Sequence, residues 1–223
     1  MGADQDHQPM KTALIAGATG LVGGELLSLL LADDTYSTII AVTRRKLNIE
    51  DPRLMNVIVD FKDSGPALTG MNIDHVFCCL GTTIAAAGSK EKFREVDFEY
   101  PLTLARVTNG LGAQQYLLVS ALGADSRSRI FYNRVKGEVE EAIRAVGFPS
   151  FHIFRPSLLL GQRPEKRAGE DAAKTLYRVF GFIIPRKYKA IPASAVARAM
   201  IAEASKSIQG FHIHESGEMQ QYA

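Results

Sequence analysis

Three groups of residues have types and spacing that chemistry can use. Gly17-Ala-Thr-Gly20-Leu-Val-Gly23 follows a short apolar run and opens into a helical pattern. Glycine is needed where backbone turns tightly, approaches a phosphate, or packs a helix against a strand. The helix N-terminus behind it offers free N–H groups and a positive dipole end to a pyrophosphate. No Gly-Lys-Ser/Thr follows, so a triphosphate-binding P-loop is excluded. Tyr132-Asn-Arg-Val-Lys136 sets a phenol and an ammonium one helical turn apart. A free phenol has a pKa of ~10, and a cation one turn away favours the phenolate that acid/base work requires. Ser120 ends the apolar run before this helix, at a strand's carboxyl end, where open α/β sheets hold ligands.

The elements that position these groups can be read from periodicity. Short apolar runs at Thr12–Ala16, Ile39–Thr43, Asn56–Val59, His75–Leu80, Gln115–Ser120 and Phe151–Phe154 read as strands. From Ile39 onward they are nearly continuous, which suits strands covered on both faces of a parallel sheet. Leu21–Ala32 has helical periodicity, and Ser194–Ser205 reads as another packing helix. A helical stripe from Phe93 to Leu111 carries a kink at Pro101 and contains Asp97, expected as a hydrogen-bonded structural carboxylate. A last stripe runs from Tyr132 to Val146. At ~100° per residue, Tyr132 lies roughly 35° and Lys136 roughly 75° from its buried direction, on the shoulder where a cleft wall would stand. Glu140, Glu141 and Arg144 project to the far side. Strand–helix alternation of this kind predicts an α/β, doubly wound Rossmann sheet with right-handed crossovers.

The second strand separates the two dinucleotides. A carboxylate at its end would hold the ribose 2′-hydroxyl of NAD(H). Here Arg44-Arg45-Lys46 follows Thr43, and guanidinium forks suit a 2′-phosphate, so NADP(H) is preferred over NAD(H). Asp60-Phe61 ends the third strand with an acid and an aromatic that suit adenine.

Bulk composition limits the alternatives. The chain has 223 residues, 46% hydrophobic and 22% charged, which excludes disorder. Burial of roughly 70% of the unfolded surface needs no disulfide or metal staple, and no metal ligand set is expected. The two cysteines, Cys78 and Cys79, are adjacent and point to opposite faces of a strand, so they do not pair. The first residues contain no apolar signal region, and Leu26–Ala32 falls far short of the ~20 residues of a membrane span. A soluble, cytoplasmic protein is expected. A net charge of +2 gives no reason to expect nucleic acid. Basic clusters at Arg163–Arg167 and Arg186–Lys189 keep an anionic substrate in view.

Taken together, Gly17-x-x-Gly20-x-x-Gly23, Asp60-Phe61, Ser120 and Tyr132-x-x-x-Lys136 resemble the short-chain dehydrogenase/reductase superfamily. Cys79-Leu-Gly-Thr-Thr83, Tyr132-x-x-Val-Lys-Gly-Glu-Val-Glu140 and Arg155-Pro156 resemble its atypical subfamily, which includes the Tat-interacting oxidoreductase-like protein and bacterial relatives. The resemblance implies that Gly17, Thr19, Gly20, Leu21, Val22 and Gly23 wrap the pyrophosphate. It places Arg44 and Arg45 on the adenosine phosphate, and Asp60 and Phe61 on the adenine. Leu80, Gly81, Thr82 and Thr83 would line the cofactor, with Pro156, Ser157 and Leu158 near the nicotinamide. It makes Tyr132 the acid/base, Lys136 the nicotinamide-ribose ligand and Ser120 the group orienting the substrate oxygen.

The implied activity is NADP(H)-dependent reduction of a carbonyl. The alternatives are a cofactor-bound regulatory or binding protein, and an epimerase or dehydratase with retained cofactor. A homodimer is within the superfamily's habits. Residues 1–10 read as a mobile tail, and residues 11–223 as one dinucleotide-binding domain with small substrate-binding segments within 161–215. The length leaves no room for a second domain, so the substrate site would be built from Thr83–Lys90, Leu122–Phe131 and Gly161–Pro192.

Overall fold

The computed structural model describes residues 10–161, 185 and 188–223. Expectations for the N-terminal tail, for Arg163–Arg167 and for most of Gly161–Pro192 lie outside the described residues. A seven-stranded parallel sheet forms the centre. Its strands are β1 (Lys11–Ala16), β2 (Tyr36–Thr43), β3 (Leu54–Ile58), β4 (His75–Cys78), β5 (Gln115–Val119), β6 (Ser150–Arg155) and β9 (Gly210–Glu215). The spatial order is β3-β2-β1-β4-β5-β6-β9. Growth therefore runs outward in both directions from the junction of β1 and β4, which is where a doubly wound sheet opens a crevice at its carboxyl edge. A separate two-stranded parallel ribbon joins β7 (Leu159–Leu160) to β8 (Ile191–Pro192).

The near-continuous apolar strands are explained by two cores. On one face Ile15, Ile39, Phe77, Leu117 and Phe154 meet Leu26 and Leu30 of α1 (Leu21–Ala32) and Met200 of α7 (Ala193–Lys206). On the other, Leu14, Ile40, Val76, Leu118 and Ile153 meet Leu68, Leu104, Val139 and Ile143. Those residues come from α2 (Gly65–Leu68), α5 (Tyr100–Gly110) and α6 (Phe131–Arg144). Each large aliphatic side chain buried this way contributes about 1.5–3 kcal/mol. The short α8 (Ser216–Met219) follows β9.

Two details differ from the periodicity. The Phe93–Leu111 stripe is not one kinked helix. It is α4 (Lys90–Arg94), a π-helical turn over Glu95–Glu99, and then α5. Pro101 follows the π-helical turn directly, and the helical backbone runs through it without a break. The seventh strand, β9, was not anticipated. It lies at the sheet edge with Ile213 exposed and histidines at positions 212 and 214, so it lacks the apolar run that marks the inner strands.

Candidate functional site

A cleft of about 1300 Å³ opens at the carboxyl edge between β1 and β4. Gly17 is its pivot, with φ at +86°. A Cβ there would lie 2.5 Å from the Cys79 carbonyl oxygen, so only glycine lets the two strand ends approach. A Cβ on Gly23 would lie 2.0 Å from the Gly17 oxygen, which fixes the helix against the turn. Gly20 caps α1 without a side chain, and no acidic residue occupies the first turn. The first N–H groups of a twelve-residue helix therefore face the cleft uncompensated. This cradle, which any side chain would fill, fits a dinucleotide pyrophosphate. Thr19, Gly20 and Leu21 line it, while the side chain of Val22 packs into the core and leaves only its backbone to serve a ligand.

The far end of the cleft is basic. Arg44, Arg45 and Lys46 line it, and none forms an ion pair among the described residues. Asn56 holds this loop, because its Nδ2 donates to Thr43 Oγ1 (2.8 Å) and its Oδ1 accepts from Leu47 N (2.7 Å). Thr43 Oγ1 donates to the Arg45 carbonyl (2.7 Å). Phe61 also lines the cleft and stacks on Tyr100 at 5.6 Å, giving a flat aromatic wall. Asp60 is exposed, and its Oδ1 accepts from Lys62 N (3.0 Å), the ordinary work of a strand-end turn.

Leu80 and Gly81 carry the cleft toward α6. Thr82 N donates to Asp97 Oδ2 at 2.9 Å. Thr83 Oγ1 accepts from Ala86 N and caps α3 (Ile84–Ala87), so that hydroxyl is already engaged. Asp97 sits in the π-helical turn, and its Oδ1 lies 2.7 Å from Lys136 Nζ, with both side chains almost fully buried. Burial opposes the ammonium charge, but Asp97 and Tyr132 outweigh it and hold the Lys136 pKa above the ordinary lysine value. A Cβ on Gly81 would lie 3.3 Å from Asp97 Oδ1 and 3.6 Å from Lys136 Nζ, so the cleft floor runs directly over this pair. Tyr132 is half-buried, its ring 5.4 Å from that of Phe93.

Ser120 faces another partner. Its Oγ donates to Glu140 Oε1 at 2.5 Å. Glu140 also accepts from Arg155 Nη2 at 2.6 Å and Nε at 3.1 Å, and Arg155 reaches Glu215 at 3.3 Å. The projection that put Glu140 with Glu141 and Arg144 on the solvent side fails for Glu140 alone. It is 5% exposed because Arg155 brings a matching charge to it from β6. Pro156 is buried, and its carbonyl accepts from Leu122 N at 2.9 Å. Ser157 Oγ donates to the Lys189 carbonyl and accepts from Ser216 Oγ, which ties it to the C-terminal segment. Leu158 is 59% exposed. The loop before α6 folds back on the helix, since a Cβ on Gly137 would meet Ser126 N at 2.1 Å.

Residues 13–135 match the NAD dependent epimerase/dehydratase family. Protein HTATIP2 of Rattus norvegicus is 36% identical over 197 residues, covering 86% of this chain and 80% of that protein. The chain belongs to the NAD dependent epimerase/dehydratase family. Protein fmp52, mitochondrial, of Emericella nidulans is another relative, 34% identical over 172 residues and 74% of each chain. Among solved structures, UDP-glucose 4-epimerase of Thermotoga maritima superimposes with a TM-score of 0.69 at 14% identity, covering 95% of this chain and 80% of that one. WbmG of Bordetella bronchiseptica, solved with NAD, gives 0.68 at 14% identity, covering 96% and 75%. These likenesses establish the short-chain dehydrogenase/reductase-type Rossmann fold.

The epimerase/dehydratase relatives also correct the cytoplasmic expectation. Several fungal members, fmp52 of Emericella nidulans and FMP52-1 of Scheffersomyces stipitis among them, are named mitochondrial proteins. The lack of a signal region was the ground for that expectation, and it does not discriminate between these compartments. Among the described residues no helix is long and apolar enough to cross a membrane. Asp97 and Glu140, the partners of Lys136 and Ser120, were not singled out as such from the sequence. The only available signals were a carboxylate inside an apolar stripe and one four residues beyond Lys136.

Proposed function

We propose that the protein is an NADP(H)-dependent reductase of a small carbonyl compound. The observation that carries this reading is the arginine pair at the end of β2, which lines the cleft without a carboxylate partner among the described residues. A 2′-phosphate is the part of a dinucleotide that such a pair recognises. Gly17 to Gly23 would hold the pyrophosphate through backbone, and Phe61 with Tyr100 would wall the adenine. When bound, the reduced nicotinamide supplies hydride to the carbonyl carbon.

The chain's own task is the proton. Tyr132 would donate its phenolic hydrogen to the carbonyl oxygen, yielding an alcohol and a phenolate that solvent reprotonates. Lys136 stays charged against Asp97 and stabilises that phenolate, although Asp97 offsets part of its field. Ser120 has one hydroxyl hydrogen, and Glu140 holds it. To bond a substrate oxygen the hydroxyl would rotate away, and the two bonds from Arg155 would keep Glu140 satisfied. Gly81 and the buried ion pair exclude water from the floor.

The test is a panel of aldehydes and ketones, followed by NADPH absorbance. Tyr132→Phe should lower turnover by about 10²-fold or more and leave NADPH affinity unchanged. Turnover that survives this change removes Tyr132 from the chemistry. A second reading, epimerisation or dehydration with retained cofactor, is supported by the family match. It predicts product formation with no net consumption of NADPH.

A further inference from the structure

On the sheet's other edge, three side chains converge away from the cleft. His152 on β6 and His214 on β9 meet across the strand pair, with His152 Nδ1 2.9 Å from His214 Nε2 and the ring planes within 4° of parallel. Glu203 of α7 closes the third side, and one ligand atom from each residue lies within 4.8 Å of the others. His152 is 1% exposed and Glu203 9%.

Neighbouring hydrogen bonds fix the state of His152. Ser150 Oγ donates its one hydrogen to the Ile208 carbonyl at 2.7 Å, because a carbonyl only accepts. The 3.1 Å contact between His152 Nε2 and that same oxygen must therefore be an imidazole N–H donating to the hydroxyl. At 2.9 Å only one hydrogen fits between His152 Nδ1 and His214 Nε2, and with the N–H of His152 committed at Nε2, a neutral His152 accepts it. A neutral imidazole has a single N–H, and His152 Nδ1 thus presents a lone pair toward His214 and Glu203. This is how the second ring nitrogen of a metal-binding histidine is usually held.

We propose that His152, Glu203 and His214 form a zinc site, with water in the fourth position. Two imidazole nitrogens and one carboxylate oxygen are a donor set that zinc accepts. A tetrahedral ion about 2.1 Å from each ligand needs donors about 3.4 Å apart. The two nitrogens stand 2.9 Å apart, so the rings open by about 0.5 Å and turn to bring both lone pairs to the ion, and Glu203 closes by on the order of 1 Å. His214 moves its hydrogen from Nε2 to Nδ1, so no proton is lost. Lys206 holds Glu203 Oε1 at 2.7 Å but is half exposed, and its ammonium can swing into solvent and leave the carboxylate to the ion. The ion would clip the edge strand β9 to β6 and α7. His212 stacks on His152, but its ring nitrogens do not join the three ligand atoms that lie within 4.8 Å of one another, so it is not a ligand. No metal was anticipated from the sequence because the two histidines stand 62 positions apart on different strands.

The full chain without an affinity tag, stripped by chelator, is titrated with Co²⁺ and then Zn²⁺. One equivalent of Co²⁺ should give visible d–d absorption that Zn²⁺ abolishes, and Zn²⁺ should raise the unfolding midpoint by at least about 5 °C. His214→Ala and Glu203→Gln should each weaken binding tenfold or more, and His212→Ala should change it less than twofold. Circular dichroism confirms that each variant is folded. The site is overturned by no Co²⁺ band and no shift at excess metal, by unchanged affinity in both ligand variants, or by loss in His212→Ala alone.

Discussion

At the end of β2, Arg44, Arg45 and Lys46 carry three positive charges with no carboxylate paired to them among the described residues, while on α6 the single charge of Lys136 is buried against Asp97. The glycine turn belongs with the arginines, since its helix N-terminus is left without a capping side chain or an acidic first turn. Ser120, Glu140 and Arg155 belong with Lys136, as a chain of polar groups satisfied within the protein. The wall that lines the cleft is thus unfinished electrostatically, and the paired wall behind it, none of whose side chains lines the cleft, is complete. A site that must capture a charged ligand gains by leaving partners absent, whereas a site that must hold groups in place gains by pairing them.

The steepest way to break this contrast is at the turn. Gly23→Ala should abolish dinucleotide binding, a loss of 10²-fold or more by fluorescence titration, because its methyl meets the Gly17 oxygen at 2.0 Å. Binding within threefold of wild type would show that the turn has slack the geometry does not allow. The paired wall should fail differently. Lys136→Met leaves Asp97 buried without its charged partner and should cost about 3–5 kcal/mol in urea unfolding. Adding Asp97→Asn should recover most of that loss, since the amide oxygen can still accept from Thr82 N. Equal instability of the double variant would mean that the pair is not what stabilises this wall.

His75 shows a third way to handle charge, by remaining neutral. Burial lowers its pKa from 6.5 to about 4, and its Nδ1 bonds Tyr36 OH at 2.9 Å. The unfolded chain then binds more protons than the folded one between those values, so stability is full above pH 6.5 and falls as pH drops toward 4. The contribution is on the order of 3 kcal/mol. Denaturant unfolding from pH 7 to 4 should show this limb, and His75→Gln should remove about half of it, because buried His152 titrates over the same range.

Much of the open wall is legible in the chain, because its parts are local. Gly17, Gly20 and Gly23 lie within seven residues, and Arg44 follows its strand directly. Strands covered on both faces announce themselves by unbroken apolar runs. The closed wall is less legible, since each pairing joins distant segments. Helical projection put Lys136 on the shoulder of the stripe, whereas it is buried against Asp97, and it could not know that Arg155 would bury Glu140. Asp97 reaches Lys136 through a π-helical turn, and a stripe read at regular helical spacing does not reveal that irregularity. Likewise β9 is an edge strand whose short alternation of Phe211 and Ile213 with His212 and His214 is easily passed over beside the unbroken apolar runs of the inner strands.

The cofactor preference is tested most directly by charge reversal at the open wall. NADPH and NADH dissociation constants are measured for the wild type and for Arg44→Glu/Arg45→Glu. The account predicts that NADPH affinity falls about 30-fold or more, roughly 2 kcal/mol, while NADH affinity changes less than threefold. Equal losses for the two cofactors, or none, would contradict it.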